Sequence, residues 1–135
     1  MRRMDDAGKL LLRLTVAILM LFHGINKLRK GIAWMAGLLQ AHHLPVWLGY
    51  GVFLAEVIAP ILLIIGILTR PAAVVIAFEI SMATYLVLGA KAFEIVPQTG
   101  AIGGELQFFY IGAALSIALL GSGRYALSKG KDRWD

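Results

Sequence analysis

Four apolar stretches divide this chain, each near the length of helix that crosses a lipid bilayer. A hydrocarbon core of about 30 Å needs about 20 apolar residues of helix. The stretches cover residues 10–28, 46–68, 71–90 and 106–121, more than half of the 135 residues. Lipid offers no partner to backbone N–H and C=O groups, so an apolar stretch of this length satisfies them as a helix. The expected fold is all-α: one domain over 1–135, an integral membrane four-helix bundle ending in a polar cytoplasmic tail at 122–135. Composition agrees, with 59% hydrophobic and 16% charged residues. Soluble domains run near 45–50% apolar and about 25% charged. Those figures exclude an ordinary soluble domain, and the absence of a repeat or of low hydrophobicity excludes fibrous and disordered classes. Zero cysteines exclude disulfides, thiol redox chemistry, iron–sulfur clusters and thiolate zinc sites.

The net charge of +5 lies at the ends of the apolar stretches rather than in a patch that a nucleic acid would bind. Arg2, Arg3 and Lys9 precede the first stretch as they would in a signal peptide. No small-residue cleavage site follows, and the stretch reads as a membrane helix. With four spans both ends share one side of the membrane. That side carries nine basic residues: Arg2, Arg3, Lys9, Arg13, Arg70, Arg124, Lys129, Lys131 and Arg133. The other side carries four: Lys27, Arg29, Lys30 and Lys91. Positive charge marks the cytoplasmic side, so both termini are expected there.

The connections are short or apolar. Thr69-Arg70 before Pro71 predicts a tight turn that makes the second and third helices antiparallel neighbours, with proline tolerated in the first turn. Residues 30–45, KGIAWMAGLLQAHHLP, are too short to span. Apolar Ile32, Trp34, Met35, Leu38 and Leu39 against polar Gln40, His42 and His43 predict a short interfacial or re-entrant helix between the first two spans. Trp34 and Trp47 then sit at headgroup level. The Gly-rich loop 94–104 lies on the same outer face.

Ionisable side chains within membrane spans are costly and face a bundle interior or a wet cavity. At 1.5 Å per residue, Arg13 lies roughly 5 Å from the inner end, His23 about 20 Å and Lys27 about 26 Å. Glu56 lies about 18 Å from the inner end of the second span and Glu79 about 12 Å from the start of the third. Three pairings follow: His23 with Glu56, Lys27 with Glu105, and Arg13 reaching toward Glu79. Together they predict a polar column through the bundle. Polar residues also serve as interhelical hydrogen-bonding contacts, worth about 1 kcal/mol each. Arg13 is near enough to an end to snorkel, Lys27 can anchor at the interface, and Tyr50, Tyr85 and Tyr110 suit belt or core positions.

Several chemistries lack their residues. Only His23 lies in a span, so a haem held by two facing histidines is disfavoured. No Glu-x-x-His pair for a di-iron bundle appears. Glu56, Glu79 and His23 together do not demand a metal, and none is expected. Neither a P-loop nor a dinucleotide fingerprint is present, so no built-in redox cofactor is expected.

The order Arg13, His23-Gly24, Lys27, Leu44-Pro45, Glu56, Gly66-Ile67-Leu68-Thr69-Arg70, Gly104-Glu105 and Gly121-Ser122-Gly123-Arg124 resembles the DoxX family of small bacterial four-helix membrane proteins along nearly the whole chain. Glu79 and the His42-His43 pair depart from that pattern. The resemblance implies a component of an oxidoreductase linked to quinones, located in the bacterial inner (cytoplasmic) membrane. A quinone, a flat apolar ring with two carbonyl oxygens, then becomes the implied substrate or ligand. Its reduction takes two electrons and two protons, which calls for a hydrogen-bond donor and a proton-passing carboxyl group. Glu56, His23, Lys27 and Glu105 form the candidate catalytic set, with His23, Trp34 and Trp47 as candidate quinone contacts. Arg13, Glu79 and Arg70 are further buried polar candidates. Implied partners are lipid, a soluble or membrane redox protein, and other copies of the chain. A proton or small-solute pathway and a non-catalytic membrane anchor or assembly subunit are the alternatives.

Overall fold

The computed structural model of the chain describes residues 2–31 and 33–135. Ile32, expected on the apolar face of the short connecting helix, lies outside the described residues. Helix α1 runs Arg2–Lys30, 29 residues and therefore about 43 Å long. It exceeds the expected 10–28 because its charged flanks are helical too. Helix α2, Ala33–Ala41, is the short connecting helix and buries Met35 and Leu39. Helix α3 covers Leu48–Ile65, α4 Thr69–Val87 and α5 Glu105–Leu120. A 3₁₀ turn at Gly89–Phe93 ends α4 early relative to the expected residue 90. Helices α1, α3 and α4 are long and apolar enough to cross a membrane, while α5 has 16 residues. Among the described residues the only β pairing is an isolated bridge between Ile95 and Ile102.

Small side chains let these helices approach closely. Ala17, Ala55, Ala59, Ala73, Ala77 and Ala114 are all buried, and larger Leu63, Ile76 and Ile117 interlock among them. Helices in lipid gain little from a hydrophobic effect between themselves and depend on such close packing. The outer flanks are apolar: Phe22, Phe78, Phe109 and Leu119 are all exposed. In water that surface would be a liability; in lipid it is solvated.

Helix α3 is not uniform. Residues Leu54–Ile58 form a π turn, in which Ala59 N–H reaches back five residues to Leu54 C=O. Pro60 supplies the reason. It has no N–H to give the Glu56 carbonyl four residues earlier, and its ring would press on that carbonyl in a regular helix. Widening the turn by one residue relieves the clash. Glu56 thus sits inside the widened turn.

Helix α3 ends at Gly66, whose φ of +84° is in the left-handed region. The turn to α4 is Gly66-Ile67-Leu68, with Thr69 already helical, so the tight connection falls slightly before the expected Thr69-Arg70. The polar tail is bonded to the end of the bundle. Leu127 N–H bonds Ile65 C=O at 2.9 Å, Arg70 N–H bonds Trp134 C=O at 3.0 Å, and Ser122 is fully buried. The tail folds across the end of the bundle as a plug.

Candidate functional site

The site begins with a glycine. A Cβ on Gly24 would collide with the carbonyl oxygen of Glu56 and with Val57 Cγ2. Gly24 therefore lets α1 lie directly against the π turn of α3. One turn further along α1, Lys27 reaches across, and its Nζ lies 2.5 Å from Glu56 Oε1. The Glu56 side chain is 5% exposed and Lys27 19%. A buried carboxylate without a partner is costly, and this charge-assisted bond offsets part of that cost. Trp34 of α2 stands over the ammonium group, 5.9 Å from ring centroid to Nζ, so Lys27 is held between a carboxylate and an aromatic face.

Beyond Glu56 lies a half-enclosed cavity of about 190 Å³. Ile80, Ala83, Val87 and Leu106 give it apolar walls, while Glu56, Glu79, His23, Gln107 and Tyr110 bring polar groups. An engineered apolar cavity of about 150 Å³ binds benzene, so this one has room for a single six-membered ring. His23 is exposed on the bundle flank and packs edge-on to Tyr110, with ring centroids 6.2 Å apart. The second oxygen of Glu56 is buried without a hydrogen-bond partner, and so is one oxygen of Glu79. Glu79 and Glu56 thus face the same cavity.

These contacts change the expected pairings. Lys27 pairs with Glu56, not Glu105, and His23 meets Tyr110 rather than Glu56. Glu105 is exposed at the start of α5 and outside the cavity. Depth along the helices matched His23 with Glu56 correctly, since both line the cavity; the rotation of α1 decided which side chain reached the carboxylate. Trp34 covers Lys27 rather than the cavity. Trp47 is exposed and outside its lining, and His42 lies tilted beside Tyr85, with ring centroids 6.2 Å apart. Tyr110, expected in a belt or core position, enters the site together with Gln107. The only sequence signal was their placement on the first turns of α5.

Arg13 does not reach Glu79. Its guanidinium is fully buried at the opposite end of the bundle, donates from Nη2 to the Tyr125 carbonyl, and lies against Gly66, where a Cβ would strike Nη1. Arg70 donates from Nη1 to the Ala118 and Leu119 carbonyls, both at 2.9 Å, and so caps the C-terminus of α5. The Arg13 side chain holds the plug to the bundle, while the Arg70 side chain ties α4 to the end of α5 and only its backbone N–H bonds the tail, at Trp134. Between that plug and the cavity lie Val16, Ala17, Leu63, Ile76 and Ile117, an apolar layer. The expected column is thus two separate polar clusters. Among the described residues no group of three or more acidic or histidine side chains is placed to hold a metal.

The two clusters contain residues that carried the sequence resemblance: Gly24, Lys27 and Glu56 in one, Arg13, Gly66, Arg70 and Ser122 in the other. No curated protein and no solved structure matches the chain. The DoxX family model matches residues 8–89, more than half of the chain, and that span includes Arg13, Gly24, Lys27, Glu56 and Glu79. The chain is a membrane protein of the DoxX family.

Proposed function

We propose that this protein is a quinone-handling subunit of an oxidoreductase in the bacterial cytoplasmic membrane, with both chain ends in the cytoplasm. The observation that carries the reading is the cavity itself: room for one ring within helices that cross the membrane, apolar walls, and a carboxylate fixed by a lysine at its inner surface. A quinone reaches such a cavity from the lipid. Quinone plus two electrons plus two protons gives quinol; the electrons come from a redox partner protein or a soluble substrate. Glu56 takes part in proton exchange at the ring oxygens as the acceptor and His23 as a second exchanging group, with Lys27 positioning Glu56. Glu105 has no part in this arrangement, because it faces away.

A pathway through the bundle is less well supported, since the apolar layer of Leu63, Ile76 and Ile117 separates the cavity from Arg13. The test is calorimetric titration of the protein in lipid nanodiscs with a short-chain quinone analogue. Saturable binding, weakened tenfold or more in Glu56→Gln with an unchanged melting profile, is expected. Absence of binding to the unaltered protein would sink the quinone reading and favour an anchor or assembly role.

A further inference from the structure

Glu79 stands outside the family pattern and outside the expected catalytic set, yet it lines the same cavity as Glu56. Three observations bear on it. Glu56 is 4% exposed, and one of its oxygens is taken by Lys27 while the other is buried without a partner. A Glu79 oxygen is likewise buried without a partner, at the wall of the same cavity. The charged and titratable groups around the pair are Lys27 and His23 from α1 and Tyr110 from α5. The pair therefore has two acids and one fixed cation.

Two carboxylates at the wall of one small, largely apolar cavity do not both ionise readily, because each destabilises the other's charge. Lys27 compensates one of them, and it is bonded to Glu56. We infer that Glu56 and Glu79 hold one proton between them at the cavity wall, with Glu56 as the ionised partner fixed by Lys27 and Glu79 as the acid that exchanges a proton with a bound ligand's oxygen. In that exchange the Glu79 O–H bond breaks as the ligand O–H bond forms, and the reverse returns the proton; no electron moves in this step. The shared proton also satisfies the two oxygens that otherwise lack partners. The ligand's identity rests on the quinone reading, but the shared proton does not.

Infrared spectroscopy of the protein in nanodiscs at neutral pH tests this. A protonated carboxylic acid has a carbonyl stretch separate from that of carboxylates, and it shifts in deuterated buffer. The expected result is one such band in the unaltered protein, lost in Glu79→Gln and also lost in Glu56→Gln, where the remaining glutamate ionises against Lys27. If Glu79→Gln fails to fold, Glu56→Gln alone decides. No band in the unaltered protein, or a band that survives either substitution, overturns the shared proton. Quinone titration of the same samples reports separately: a band without quinone binding keeps the proton pair and removes the quinone, and binding without a band does the opposite.

Discussion

Gly24 lies against the backbone carbonyl of Glu56, so closely that no other residue at position 24 leaves both helices in place. That contact sets the distance across which Lys27 reaches Glu56. Gly24→Ala is therefore expected to push α1 from the π turn and to lower stability by about 1–3 kcal/mol, the usual cost of overpacking. The same shift should weaken the cavity. Thermal unfolding in nanodiscs checks the first effect, and an unchanged melting temperature would show that the contact is softer than drawn.

The Lys27–Glu56 pair should behave as a coupled unit. Lys27→Met leaves a buried carboxylate without its cation, whereas Glu56→Gln leaves a partly exposed ammonium that water can reach. The first should destabilise more. Combining the two should recover part of the loss, with a coupling of roughly 0.5–3 kcal/mol. Denaturation of the two single variants and the double variant measures it; strictly additive losses would mean that the pair contributes no net stability.

At the opposite end, Arg13 ties the tail to the bundle through the Tyr125 carbonyl. Arg13→Ala should release residues 121–128, although these make no contact with the cavity. Hydrogen exchange reads this directly through the Leu127 amide, which bonds Ile65 C=O. Protection equal to that of the unaltered protein would mean that Arg70 and the Gly66 turn hold the tail alone.

The proposed orientation, with both ends of the chain in the cytoplasm, rests on nine basic residues on one side against four on the other. A reporter fused to the C-terminus should be active if it requires the cytoplasm and silent if it requires the other side. The reverse pattern would invert the assignment and put the Lys27 end of the bundle inward.

The helices were legible in the sequence because lipid leaves apolar stretches one backbone solution. Depth was legible for the same reason: residue number along a helix is distance, and it put His23 and Glu56 at one level. Rotation was not. Whether His23 or Lys27 meets Glu56 depends on where α1 turns, and that is set by Gly24 against the Glu56 carbonyl, to which Pro60 has no N–H to give. The roles of Gly24 and Pro60 emerge only when two helices are seen together. The plug was hidden for a different reason. Residues 122–135 are polar and carry no helical period, so nothing local announces that Arg13, more than a hundred residues earlier, binds their backbone.

The π turn has a consequence for how this chain can vary. Its extra residue rotates everything after Ile58 by about 100° relative to what precedes it. The two halves of α3 thus keep different phases: one aims Glu56 at the cavity, the other aims Leu63 into the apolar core. Deleting one residue between 54 and 58 would bring the halves back into a single phase. The core half could then remain in register while the carboxylate swung out of the cavity, so that a scaffold of this kind can gain or lose its polar site by the insertion or removal of one codon.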